Sequence, residues 1–223
     1  MTATFSREES GHCIRVLRMT LGDTINFTDG KGNIYEGVIT IDDPHKMQAY
    51  IEKVIEDFGK RAYNLHIAIS PLKNNDRLEW FIEKAVEMGI DEITPLICTR
   101  SEKNRIKRER IENLILSAMK QSVKAFLPRL NEPVKINDFL SGNYKGLRLI
   151  AHCNPEPGRK AVTEVISRGE NVVIMIGPEG DFTNEEVTNA VKAGFTSVHI
   201  GSSRLRTETA GVAACCSVYL INI

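Results

Sequence analysis

Apolar and polar positions change rhythm once along the chain. Between residues 12 and 58 they form short alternating runs, most clearly in Ile34-Tyr35-Glu36-Gly37-Val38-Ile39-Thr40-Ile41. Period-two alternation marks strands with one buried face. Turn signals at Gly22-Asp23, Asp29-Gly30 and Gly32-Asn33 separate the runs, and short strands at this spacing predict a small β-barrel. From Asn64 the pattern shifts. Leu65–Ile69 reads as a strand buried on both faces. Asn75 is the predicted cap of a helix whose apolar face is Leu78, Phe81, Ile82, Ala85 and Met88, with Gly89 as its stop. A strand over 93–98 and a long polar helix over 107–125 follow. Leu147–Ala151, Val172–Ile176 and residues 198–200 are further apolar strands, with helical segments between them. Strands alternating with helices predict an α/β fold with a parallel sheet covered on both faces. Asp57-Phe58-Gly59-Lys60-Arg61 interrupts the strand pattern, so the expected domains are residues 1–60 and 61–223.

Composition narrows the class. A chain of 223 residues buries a core without staples. Its 29 basic residues balance 29 acidic ones, so any nucleic-acid surface must come from local clustering. Five cysteines (Cys13, Cys98, Cys153, Cys215, Cys216) contain no Cys-x-x-Cys pair, which predicts reduced, buried thiols in a cytoplasmic protein. The sequence has neither an 18-residue apolar run nor a signal-peptide pattern, so no membrane association or export is expected.

Two turn-rich loops carry the chemistry. Gly177-Pro178-Glu179-Gly180 follows a strand and precedes a helix start where Thr183 and Glu186 have capping-box spacing. Ser202-Ser203-Arg204-Leu205-Arg206-Thr207-Glu208-Thr209-Ala210 leads into a helix of small residues. Read blandly, the first is a β-turn and the second a capped C-terminal helix. Read together, they put strand ends and helix starts at one mouth, where backbone N–H groups face a ligand. Neither Gly-x-Gly-x-x-Gly nor a P-loop is present, nor a metal-ligand cluster or a nucleophile paired with a base. His152 closes a strand in the same half of the sheet and is a candidate to line the pocket. Residues 100–110 hold Arg100, Lys103, Arg105, Lys107, Arg108 and Arg110 against Glu102 and Glu109. Such a run is either a solvated face or, beside the loops, a phosphate-contacting patch. Lys120, Lys124 and Arg129 extend it; Lys73, Arg77, Arg15 and Arg18 are further cations.

Together these motifs resemble the RsmE-type methyltransferases of the SPOUT superfamily. The resemblance covers nearly the whole chain in order. It runs from residues 12–18 with Gly22-Asp23 and Asp29-Gly30-Lys31-Gly32, through Lys84-Ala85-Val86-Glu87-Met88-Gly89 and Gln121-Ser122, to Gly177-Pro178-Glu179-Gly180 and Leu205-Arg206-Thr207-Glu208-Thr209-Ala210. It implies methylation of uridine N3 in small-subunit ribosomal RNA with S-adenosylmethionine as donor. It also implies an N-terminal barrel resembling a PUA RNA-binding domain, a C-terminal domain with a trefoil knot, and a homodimer with its active site near the interface. On that reading Ile176, Gly177, Pro178, Glu179, Gly180, Ile200, Gly201, Ser203, Leu205, Arg206 and Thr207, with His152, hold the cofactor. Arg206 stabilises the uridine anion, and Glu208 or a water takes the proton. Arg15, Arg18, Lys73, Arg77, Arg100, Arg105, Arg108 and Lys124 contact RNA. Three departures stand out: Asp181 where the family usually has a second glycine, Gln121-Ser122-Val123-Lys124 in place of Gln-Ser-Gly-Arg, and an N-terminus that reads as short by about one strand.

Overall fold

The computed structural model describes residues 1–154 and 159–223. The chain divides into two units, residues 1–60 with 124–126, and residues 61–123 with 127–223.

In the first unit, β1 (Thr2–Thr4), β2 (Thr24–Thr28), β3 (Ile34–Ile41) and β4 (Gln48–Ile55) form an antiparallel sheet in the order β1-β4-β3-β2. Strand β1 pairs antiparallel with β4, Thr2 with Tyr50 and Thr4 with Gln48. The expectation of strands from residue 12 is corrected. Helix α1 (Arg7–Gly11) runs on into a π-helical turn at His12–Val16. Ser6 caps α1 by accepting from Glu9 N at 3.2 Å, and Glu8 and Glu9 sit in its first turn, where carboxylates favour the helix dipole. Cys13, on the π-helical turn, packs into a core with Ile25, Ile39, Met47 and Ala49. Residues 124–126 join this unit through the Ala125 carbonyl, which accepts from Gly32 N and Thr28 Oγ1.

In the second unit, β5 (Leu65–Ile69), β6 (Glu92–Ile97), β7 (Arg129–Leu130), β8 (Val134–Lys135), β9 (Leu147–Ala151), β10 (Lys160–Ala161), β11 (Val172–Ile176) and β12 (Thr196–His199) pair in parallel. The order is β10-β12-β9-β11-β5-β6-β7, with β8 on β6. Alternate side chains of the central strands go to opposite faces. Leu65, Ile67, Ile69, Val172, Ile174 and Ile176 enter one core. Ala68, Val173 and Met175 enter another with Phe139, Phe182 and Phe195. Burial on both sides is why these strands read as continuous apolar runs.

The helices are α2 (Asn75–Met88), α3 (Arg108–Gln121), α4 (Ile136–Leu140), α5 (Val162–Val165), α6 (Asn184–Lys192) and α7 (Thr207–Asn222). Asn74, not Asn75, caps α2, accepting from Asp76 N at 2.8 Å. Gly89 ends that helix in the left-handed region at φ 87°, a conformation that costs glycine little. Helix α3 stops four residues before the expected 125, because Ser122 Oγ bonds back to Ala118 O and Val123 turns left-handed at φ 54°.

Helix α7 spends its small residues inside the chain. A Cβ on Gly211 would stand 2.7 Å from Phe81 Cδ2 and 3.1 Å from Ile69 Cδ1, so α7 seats directly on α2 and β5. Gly211→Val is expected to destabilise this unit by about 1–3 kcal/mol through overpacking. A urea midpoint equal to the parent's would contradict this packing account.

Candidate functional site

Strands β9, β11 and β12 are neighbours, and their carboxyl ends share one edge. Ile176 pairs with Ala151, and Ala151 with Val198. The loops that leave this edge enclose a cleft of about 580 Å³. Its walls come from residues 151–153 and 159, 176–179 and 181, 199–207, and Ala210, with Arg77 reaching in from α2. The structure brings together here His152, Ile176, Gly177, Pro178, Glu179, Ile200, Gly201, Ser203, Leu205, Arg206 and Thr207. Gly180 is the exception. The site of a Cβ on it lies 3.3 Å from Arg100 Cδ, and its carbonyl accepts from Arg100 Nη1 at 2.7 Å. It faces that arginine and does not line the cleft.

Polar side chains fix the loops to one another. Asp181 adopts φ 61°, a left-handed turn that aspartate tolerates. Its Oδ2 accepts from Cys153 N at 2.8 Å, so the acid ties the loop after β11 to the loop after β9. Arg159 Nη1 donates to the carbonyls of His152 and Asn154. Glu179 accepts from Lys73 N at 3.2 Å. Thr183 and Glu186 form the capping box of α6, and the second carboxylate oxygen of Glu186 accepts from Thr99 N at 2.7 Å.

The remaining surfaces suit a ligand with both apolar and polar parts. Ile176, Ile200, Leu205 and Ala210 supply apolar wall. Helix α7 starts at the cleft with Arg206 as its N-cap and no side-chain cap bond, leaving its first N–H groups for other acceptors. Among the described residues, His199 Nδ1 is buried without a hydrogen-bond partner. So is Oε2 of Glu208, whose Oε1 lies 3.7 Å from Arg77 Nε. Buried polar atoms left unpaired are costly, and a bound polar ligand relieves that cost. Ala151, Cys153, Arg159, His199, Ser202 and Arg204 also line the cleft, beyond the residues the sequence motifs point to. His199 ends a strand beside the second loop, a position that could have flagged it; nothing local flags Arg159.

Several members of the cation run have partners within the chain. Arg100 holds the Gly180 carbonyl, Lys103 donates to Asn75 Oδ1 and Arg110 pairs with Glu79. Arg108 binds Glu112, Glu132 and the Leu130 carbonyl. Lys73 Nζ pairs with Glu102 at 3.2 Å. Arg105 and Lys107 are exposed. Arg77 lines the cleft, whereas Arg15, Arg18 and Lys124 belong to the first unit.

Residues 60–219 match the model of an RNA methyltransferase domain, and residues 5–52 that of an RNA methyltransferase PUA domain. The chain is 30% identical to ribosomal RNA small subunit methyltransferase E of Buchnera aphidicola over 94% of its own length and 85% of that protein's. Among solved structures it is similar to a probable rRNA-methyltransferase from Porphyromonas gingivalis, at 38% identity and TM-score 0.93 over 100% of this chain and 94% of that one. It is also similar to a ribosomal RNA small subunit methyltransferase E from Neisseria gonorrhoeae bound to S-adenosyl methionine. There the identity is 27% and the TM-score 0.86, over 100% and 92% of the two chains.

Proposed function

Because the chain belongs to the ribosomal RNA small subunit methyltransferase E family, we propose that it methylates N3 of a uridine in small-subunit ribosomal RNA, using S-adenosylmethionine. The observation that carries this reading is the cleft at the ends of β9, β11 and β12. Its apolar walls suit an adenine, and the uncapped start of α7, with the unpaired His199 Nδ1, suits the cofactor's polar groups. Bound there, S-adenosylmethionine supplies an electrophilic methyl group on a sulfonium. Ile176–Glu179, Ile200–Gly201 and Leu205–Thr207 hold the cofactor, and the Asp181 and Arg159 ties fix their loops. Alignment of this kind reaches effective molarities of about 10⁵ M or more. Glu208 accepts the N3 proton, and the guanidinium of Arg206 stabilises the resulting anion. The target base leaves any stack to present N3. Calorimetry tests the cofactor site: one S-adenosylmethionine per chain is expected, and absence of binding would contradict it.

The finer architecture follows from the same reading. The N-terminal sheet is a PUA-like barrel that binds RNA, and residues 61–223 are the catalytic domain with a trefoil knot. The strand order supports the knot. After β12, near one side of the sheet, the chain returns as α7 to pack over β5 and β11. The enzyme is a cytoplasmic homodimer. Gly211, Ala214 and Cys215 are buried within the chain, so self-association draws instead on the apolar end of α7, where Leu220 is 56% and Ile223 68% exposed. A two-fold pair is the common solution for such a face. For RNA, the exposed Arg15, Arg18 and Arg105 are the phosphate contacts. Their joint replacement by alanine is expected to weaken RNA binding alike across sequences. The slope of log K against log salt should fall by about one unit or less per lost contact. An unchanged slope would make them solvated charges.

A further inference from the structure

Beside the cleft lies a second, open depression of about 650 Å³. Arg77, Arg204, Leu205 and Arg206 line both, so these residues form a shared wall. Trp80, Asp76, Glu208 and Thr209 complete the lining of the depression. Trp80 is the chain's one tryptophan and is 44% exposed on α2. Glu208 has a side chain only 8% exposed, and its Oε2 has no hydrogen-bond partner among the described residues. An exposed indole beside guanidinium groups and a buried, unpaired acceptor combines a stacking surface, cations for phosphate and a hydrogen-bond reader.

We propose that this depression receives the extruded uracil, with Trp80 as its stacking platform and Glu208 and the neighbouring arginines as readers of its Watson–Crick edge. Every base has a π-face that stacks on an aromatic side chain, so Trp80 gives affinity without sequence preference. Selection comes from the edge. Uracil presents acceptor, donor, acceptor at O4, N3–H and O2, which matches guanidinium donors around a carboxylate acceptor. Cytosine turns the N3 lone pair toward the carboxylate and leaves it unpaired, and sites built on buried polar groups reject such analogues strongly. The assignment rests on the methyl-transfer reading of the adjoining cleft.

Because Trp80 is the sole tryptophan, its fluorescence reports directly on the pocket. A short single-stranded uridine oligoribonucleotide, added to full-length protein with S-adenosylmethionine, should quench the emission. A cytidine oligomer brought to equal occupancy, as judged by anisotropy of a label on the RNA, should leave it nearly unchanged. Trp80→Ala should lower kcat/KM for RNA by about 5- to 150-fold, the range of single-base stacking on aromatics. The loss should fall mainly on KM, Trp80→Phe should recover most of it, and cofactor affinity should hold in both. Bound uridine RNA without quenching, or a folded Trp80→Ala enzyme with parent kinetics, would overturn the pocket while leaving the methyl-transfer reading intact. Quenching by uridine RNA in a protein that transfers no methyl group would do the reverse. A change in emission on diluting the protein without RNA would assign this face to a second copy and overturn the proposal.

Discussion

Arg206→Ala is expected to slow methyl transfer by about 10²–10³-fold, the usual cost of removing one preorganised charge-stabilising group. The structure makes this substitution clean. Arg206 caps α7 through its backbone alone: its carbonyl accepts from Ala210 N at 2.8 Å, and its side chain makes no cap bond. Alanine therefore keeps the turn and removes only the guanidinium, which is exposed on the wall shared by cleft and depression. Arg206→Lys should recover part of the rate, because it restores charge but not the planar fork. Single-turnover rates at saturating RNA and cofactor, with cofactor calorimetry alongside, give the answer. A parent-like rate in Arg206→Ala would remove this residue from the reaction.

Ala210→Phe is expected to weaken S-adenosylmethionine binding by about 100-fold, equivalent to roughly 3 kcal/mol of steric exclusion. Ala210 lies in the first turn of α7 and lines the cleft, so an aromatic ring there fills space the cofactor requires. Circular dichroism and a urea midpoint near the parent's would show that the fold survives. RNA affinity, measured separately, should hold. Gly180→Val would be a poor substitute, because the added side chain meets Arg100. Parent-like cofactor affinity in a folded Ala210→Phe protein would move the cofactor out of this cleft.

How far the sequence could be read depended on how local each signal was. Leu65–Ile69, Leu147–Ala151 and Val172–Ile176 were legible to the residue, because central parallel strands are apolar on both faces and end where their loops begin. The capping box at Thr183 and Glu186 was legible for the same reason, as its partners lie three residues apart. That the loops at 177 and 202 meet at one cleft was legible, since neighbouring strand ends of a parallel sheet share an edge. Residues 7–16 were not. Ser6 and Glu9 carry a helix-start signal, but it sits ahead of a stretch whose apolar positions do not mark a helix face. The partners of the charge run were not legible because they are distant in sequence: Glu132 for Arg108, Glu79 for Arg110 and the Gly180 carbonyl for Arg100. Arg159 and His199 owe their places to loops that meet only after folding. Asp181 lies between these cases. Its tolerance of a left-handed turn was readable, but its bond to Cys153, 28 residues away, was not.

The most direct test of the account is a nucleoside map. Purified protein, S-adenosylmethionine carrying a labelled methyl group and small ribosomal subunits from cells lacking the methyltransferase are incubated together. The RNA is then digested and analysed by mass spectrometry. The account predicts one labelled uridine per subunit, with the methyl group on the base at N3, and far less label when Arg206→Ala replaces the parent at a matched early time. Label on a ribose, label on another base, or no label despite bound cofactor would contradict it.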